Sequence, residues 1–217
     1  MNIEQARFNM IEQQIRPWEV LDQAVLSLLA LVKREDFVPP AHRALAFVDT
    51  EVPLPEGQVM LAPKVEARLL QALNVARHER VLEVGAGSGH MAALLAHRAQ
   101  HVIGLEIRPA LAAMAAANLR HAGIANASIR EADGSQGLSA EAPFDVIVLS
   151  GSVAEVPQAL LDQLKPGGRL VAIVGQEPVM RALLITCIGA AQFKRVELFD
   201  TVAPRLQGFA EAPTFRF

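Results

Sequence analysis

The chain has 217 residues, 20 Lys plus Arg against 23 Asp plus Glu, a formal net charge of −3 and a single cysteine. That length suits one elaborated domain with ample core. The near-balanced charge supplies no overall positive field for nucleic acid or a membrane surface, and one thiol excludes an internal disulfide framework. Nothing approaches the ~18 apolar residues of a membrane span, and Glu4, Arg7 and Glu12 break up any leader-like apolar start. Six scattered histidines lack ligand spacing, so no metal site is expected. These features predict a cytoplasmic protein with neither nucleic-acid nor membrane partners.

In chain order, Ile3, Arg7, Met10, Ile11 and Gln14 recur at helical intervals and predict a first helix closed by Pro17. Asp22–Val32 predicts a second, capped by Asp22 and carrying Leu26, Leu29 and Val32. Phe37-Val38-Pro39-Pro40 interrupts the pattern. Glu51–Pro63 predicts loop or short strand, and Pro63 opens a helix running to about Leu73.

A different kind of sequence begins at Arg80. Arg80–Val84 predicts a short buried strand and Met91–Ala96 a helix, with Gly85, Gly87 and Gly89 alternating between them. Such glycines let the backbone turn tightly and let a ligand lie against bare main chain near a helix N-terminus. The arrangement is that of a nucleotide-type site. Spacing narrows the choice. The dinucleotide pattern G-x-G-x-x-G would need glycine where His90 stands, and no Gly-Lys-Ser/Thr follows to make a P-loop. The pattern E-x-G-x-G-x-G, starting at Glu83, resembles the S-adenosylmethionine loop of class I methyltransferases.

His101–Glu106 predicts the next strand, ending in an acid at roughly the 20-residue distance where a carboxylate meets ribose hydroxyls. Pro109 opens a helix, and Ala127–Glu131 predicts a third strand before Asp133-Gly134, a strong turn signal. Phe144–Leu149 is nearly all apolar and so buried on both faces, and Leu164–Val171 holds a helix end, a Pro-Gly-Gly turn and a fifth strand. Strands alternating with helices through Arg80–Val174 predict an α/β fold, a parallel sheet with helices on both faces. Glu83, Gly85, Gly87, Gly89, Glu106, Asp133 and Ser150 fall at the carboxyl ends of its strands, where ligands gather. Asp200–Phe217 is read as a final strand pair, giving a mostly parallel, Rossmann-like sheet with an antiparallel last strand. Cys187, in an apolar run, is read as a buried inert thiol, and Arg205 as a surface salt-bridge former with an acceptor carboxylate as its alternative partner.

Over nearly its whole length the chain resembles the protein-L-isoaspartate O-methyltransferases. The resemblance is carried by MIEQQI, REDFVP, EVPLPEGQ, VLEVGAGSG, EADGSQG, APFDVIVLS and VPQALLDQLKPGGRLV. It implies a class I fold that uses S-adenosylmethionine to methylate the abnormal α-carboxylate of isoaspartyl residues in damaged proteins or peptides, a repair reaction. It places the cofactor on Glu83, Gly85, Ala86, Gly87 and Gly89, on Glu106 and Ile107, on Asp133 and Gly134, and near Ser150. Residues 1–75 would then be N-terminal helices and an acceptor loop packed on a cofactor-binding core of 76–217, one structural unit overall.

One departure stands out. The family's acceptor loop reads Gln-Thr-Ile-Ser-x-Pro, whereas this chain has Gln58-Val59-Met60-Leu61-Ala62-Pro63, with both hydroxyls gone and Leu61 at the serine position. His90 stands where an aromatic tyrosine often follows the glycine loop. No catalytic residue is therefore assigned with certainty: Val59, Met60 and Leu61 are the acceptor-loop candidates. A hydrogen bond from a hydroxyl to a charged acceptor is worth about 1.5–3 kcal/mol. Two alternatives stay open. One is a methyltransferase for a more apolar small-molecule acceptor, with His90 as a candidate base; the other is a non-catalytic S-adenosylmethionine-binding protein.

Overall fold

The computed structural model describes residues 2–211. Helix α1 (Ile3–Asn9) is capped by the Asn2 side chain, which accepts from Gln5 N at 3.2 Å. The helical path continues with a wider π-type turn through Met10–Ile15 and a tight turn at Arg16–Trp18 around Pro17. Met10, Ile11 and Ile15 enter the core, whereas Ile3 stays at the surface. In α2 (Gln23–Leu31) the Asp22 carboxylate takes the N–H of Ala24 at 2.8 Å, a side-chain cap for an otherwise orphaned donor. Strands β1 (Val52–Pro53) and β2 (Val59–Met60) pair antiparallel as a short hairpin. Helix α3 (Pro63–Leu73) follows at once, opened by Pro63 and closed at Asn74 with φ +43°.

Alternation then builds the sheet: β3 (Arg80–Val84), α4 (His90–Ala96), β4 (His101–Glu106), α5 (Pro109–His121), β5 (Ala127–Glu131), β6 (Phe144–Val153), α6 (Gln158–Leu161) and β7 (Leu164–Gln176). Strands β8 (Val179–Gly189) and β9 (Gln192–Asp200) complete seven strands in the order β5-β4-β3-β6-β7-β8-β9. Pairing is parallel from β5 through β7, then antiparallel from β7 to β8 and from β8 to β9. The ladder between β6 and β7 jumps from Phe144–Leu164 to Val146–Arg169, so the Pro-Gly-Gly stretch is an excursion out of register.

Two expectations are corrected here. The antiparallel pair is β8 and β9, ending where the predicted strand pair begins. Val179–Gly189 supplies the long apolar run that reaches the core, while residues 201–211 lack such a run and leave the sheet as an irregular strap, paired to β6 through an isolated Ser152–Arg205 bridge. The remainder of that expectation, residues 212–217, lies outside the described residues. The strand at Phe144 also runs on to Val153, with an irregularity between Val148 and Ser152, so Ser150 sits inside that irregular stretch.

Alternate residues along the strands point to opposite faces. Val81, Val102, Val146 and Val171 pack with Met10, Leu69, Leu94 and Leu111, so apolar residues from before and after residue 75 share one continuous cluster. Leu82, Ile103, Ile147 and Leu170 pack on the other face with Leu160 and Leu161 of α6, and Leu206 of the strap joins them. Cys187 is buried, its thiol directed to the Gly189 carbonyl at 3.4 Å. Among the described residues no helix is long and apolar enough to cross a membrane.

Gly89 ends the loop before α4 with φ +83°, and a Cβ there would stand 3.2 Å from Ala115 Cα on α5. Its small size therefore seats α4 against α5. Gly89→Ala is expected to lose about 1–3 kcal/mol of stability through backbone strain and this contact, read by urea unfolding; an unchanged midpoint would mean that α4 and α5 have room to separate.

Candidate functional site

The loop after β3 is held from below by main chain and from the side by a carboxylate. Gly85 N and Ala86 N donate to the Leu105 carbonyl at 2.8 and 3.2 Å, and Gly87 N donates to Glu106 Oε2 at 2.9 Å. Glu106 Oε1 meanwhile accepts from Arg108 N at 3.0 Å, so one carboxylate ties the glycine loop to the start of α5. Each oxygen keeps a further lone pair for a ligand. Glu106 itself is buried, and Ile107 next to it keeps 38 % of its surface exposed.

These residues form one wall of a cleft at the carboxyl ends of β3, β4 and β6, with Gly85, Gly87, Glu106, Ile107, Gly134 and Ser150 brought together. Val59 and Leu61 of the hairpin form the facing wall, and Pro204–Gln207 of the strap close one end. The strap comes very near the loop. A Cβ on Gly85 would stand 2.5 Å from Leu206 Cδ2, so glycine is what admits this contact. Asp133 is exposed; its Oδ1 accepts from Ser135 N at 2.8 Å, and its carboxylate packs close to Gly208, while Gly134 is the residue that reaches the cleft. Gly89 serves the packing described above and does not line the cleft.

A deeper recess joins Met60 and Leu61 to Glu66, Glu83, Ala86 and Ser88. Glu83 is fully buried at the end of β3. Ser150 Oγ donates to its Oε1 at 2.7 Å, while Oε2 has no partner among the described residues. Burial pushes this carboxyl up to about 8, the Ser150 hydrogen bond opposing and the charges of Glu66 and Glu106 adding to the rise.

Under the hairpin lies a buried ionic chain. Arg34 Nη1 donates to Glu66 Oε2, and Arg34 Nη2 donates to the Leu61 carbonyl at 2.6 Å. His90 Nδ1 lies 3.0 Å from Glu66 Oε2; a carboxylate so placed only accepts, so Nδ1 carries the proton. The ring meets Phe37 edge-on at a centroid distance of 5.3 Å, and its Nε2 is buried without a partner among the described residues. Burial would raise Glu66, but the neighbouring His90 and Arg34 overcome it and hold the carboxyl below its ordinary range. His90 thus stands behind the hairpin rather than at the cleft surface.

Sequence reasoning did not single out Arg34 or Glu66, and it read the strap as strands while naming Arg205 within it. Glu66 did leave a signal: it precedes Leu69, Leu70 and Leu73 by three, four and seven positions, placing a charge on the apolar face of α3. Among the described residues no group of three or more His, Cys, Asp or Glu is placed to hold a metal ion.

Comparison with known proteins points in one direction. The family model described as protein-L-isoaspartate(D-aspartate) O-methyltransferase matches residues 5–194. The protein-L-isoaspartate O-methyltransferase of Koribacter versatilis is 40% identical over 194 residues, covering 89% of this chain and 87% of the relative. That of Methanoculleus marisnigri is 42% identical over 169 residues, covering 78% and 77%. A solved structure, a putative protein-L-isoaspartate O-methyltransferase from Plasmodium falciparum in complex with S-adenosyl-L-homocysteine, covers 93% of this chain and 98% of its own at a TM-score of 0.78 and 23% identity. That likeness establishes the same fold.

Glu83 makes the site sensitive to pH. With its carboxyl raised from 4.5 to about 8, the folded protein between those values holds a proton that the unfolded chain has released, so stability falls as pH rises through that window. Thermal unfolding from about pH 5 to about pH 9 is expected to show this decline in the parent protein and a flatter profile in Glu83→Gln. Parallel profiles would mean that Glu83 is ionised in the fold.

Proposed function

Because the chain belongs to the protein-L-isoaspartate(D-aspartate) O-methyltransferase family, we propose that it transfers a methyl group from S-adenosylmethionine to the α-carboxylate of isoaspartyl residues in proteins or peptides. The observation that carries this reading is the cleft in which a glycine loop, clamped by Glu106 through Gly87 N, faces the Val59–Leu61 hairpin.

The residues fit the cofactor. Glu106 has acceptor capacity left for two vicinal hydroxyls, and Ile107 offers an open apolar face beside it for a purine ring. Gly85, Ala86 and Gly87 present main chain without side chains larger than a methyl. Gly134, with Asp133 behind it, would close the adenine end, and Glu83 with Ser150 the opposite end. Bound there, S-adenosylmethionine supplies a methyl group on a positively charged sulfur, and the acceptor oxygen forms the new C–O bond as the C–S bond breaks with its electron pair going to sulfur.

An acceptor carboxylate, with a pKa of about 4, is already ionised at neutral pH and needs no general base. The protein's task is alignment and exclusion of water. Hairpin and strap supply the exclusion: Val59, Leu61 and Leu206 line the cleft with hydrocarbon. The same apolar wall supports a second reading, transfer to a small apolar acid, which the acceptor test below separates from the first.

With labelled S-adenosylmethionine, a peptide containing L-isoaspartate is expected to take up methyl while its aspartyl twin does not; equal labelling of both, or none, overturns the isoaspartyl reading. Gly87→Val would place a branched side chain at the cleft wall, and calorimetry is expected to find S-adenosylhomocysteine affinity lowered at least tenfold, about 1.4 kcal/mol. Undiminished affinity would mean that the cofactor does not pass this loop.

A further inference from the structure

We propose that Arg205 binds the carboxylate of the methyl acceptor and orients it, filling in this chain the place left by the missing hydroxyls of the hairpin. The inference rests on the carboxyl-methylation reading above.

The backbone of the strap is fixed where it passes the irregular end of β6. Ser152 N donates to the Pro204 carbonyl at 2.8 Å, Leu206 N donates to the Ser152 carbonyl at 2.9 Å, and Ser152 Oγ donates to the Ala203 carbonyl at 2.7 Å. Arg205 is thus held on both sides. Its guanidinium is only partly engaged. Nη2 donates to the Gly175 carbonyl at 2.9 Å, Nε lies 3.9 Å from the exposed Glu211, and Nη1 is buried without a partner among the described residues. A buried, unpaired cationic N–H is unfavourable unless something comes to meet it.

Arg205 lines the same cleft as Val59, Leu61 and Ser150. Arg108 lines that cleft too and its Nε is likewise buried without a partner among the described residues, but it sits beside Glu106 at the end of β4, where its Nη1 donates to Glu56 at 2.8 Å. Arg205 is anchored between the ends of β6 and β7 instead, away from the ribose-side carboxylate. A guanidinium anchored by one nitrogen and unpaired at another suits a carboxylate, whose two oxygens allow one to be held while the other attacks. No proton moves in that step. The new bond joins oxygen to the methyl carbon, and the breaking C–S bond leaves its electrons on sulfur.

The test is steady-state methylation of the isoaspartyl peptide by the full chain and by Arg205→Met and Arg205→Lys, with S-adenosylhomocysteine affinity and thermal unfolding measured on each. Loss of a hydrogen bond to a charged group is expected to raise the peptide KM of Arg205→Met by about 10- to 150-fold, with a smaller change in kcat. Cofactor affinity is expected to stay within about twofold, and Arg205→Lys to recover part of the loss. An unchanged peptide KM in folded Arg205→Met overturns the proposal. So does weakened S-adenosylhomocysteine binding with peptide KM intact, which would assign Arg205 to the cofactor. If Arg205→Met does not fold, Arg205→Gln reads the same constants. If the parent protein transfers no methyl to the peptide, the isoaspartyl reading fails by itself, and benzoate titrated into the S-adenosylhomocysteine complex tests Arg205 separately. Benzoate binding lost in the variant supports a carboxylate site; equal or absent binding overturns it.

Discussion

The buried contact between Arg34 and Glu66 is the constraint on which the site depends. Removing one partner from a buried ion pair is destabilising by about 3–5 kcal/mol, because the other charge is left buried and uncompensated. Here the pair joins four segments, with Arg34 Nε buried without a partner among the described residues. Arg34 comes from the turn after α2, Glu66 from α3, His90 from the start of α4, and the Leu61 carbonyl from the hairpin. The fork of the guanidinium reaches a carboxylate and a peptide carbonyl together, which a lysine's point charge would do less well. Hairpin and glycine loop are consequently set opposite each other with little freedom between them.

That arrangement divides the acidic residues by environment. Glu66, beside Arg34 and His90, is held below its ordinary range; Glu83, with the Ser150 hydroxyl as its one donor among the described residues, is pushed up to about 8. Glu106 spends its oxygens on the N–H groups of Gly87 and Arg108. Three carboxyl groups on adjoining elements thus have different tasks: one binds the N-terminal segments to the core, one is raised by burial in the recess beside Ser150, and one shapes the loop. The strap adds a fourth element. Leu206 reaches the bare backbone of Gly85, and Arg205 brings a cation to a wall otherwise built from Val59 and Leu61.

Local signals carried much of the fold. Proline at Pro63 and Pro109 opens helices at the positions expected, because its missing N–H and fixed φ suit a first turn. The strands Arg80–Val84, His101–Glu106 and Ala127–Glu131 run between the expected residues, since runs of five or six residues bounded by turn signals are too short for a typical helix. The signals were weaker where partners are distant. Asp200–Phe217 is read as strands, yet β8 and β9 had already occupied the sheet edge, and residues 201–211 turn back over β6 instead. Arg34 and Glu66 are 32 positions apart, and neither motif around them announces that the two side chains meet.

By itself the sequence determined the alternation of strands and helices, the glycine loop with its acid at Glu106, and the apolar character of Val59, Met60 and Leu61. Each of these is written in residue type and near-neighbour spacing, and needs no knowledge of what lies across the fold. Only the tertiary structure decided which carboxyl is raised by burial, which arginines reach the cleft, and which apolar residues form its walls. Desolvation and ion pairing depend on what surrounds a group in space, and those surroundings come from segments that the chain brings together only when it folds.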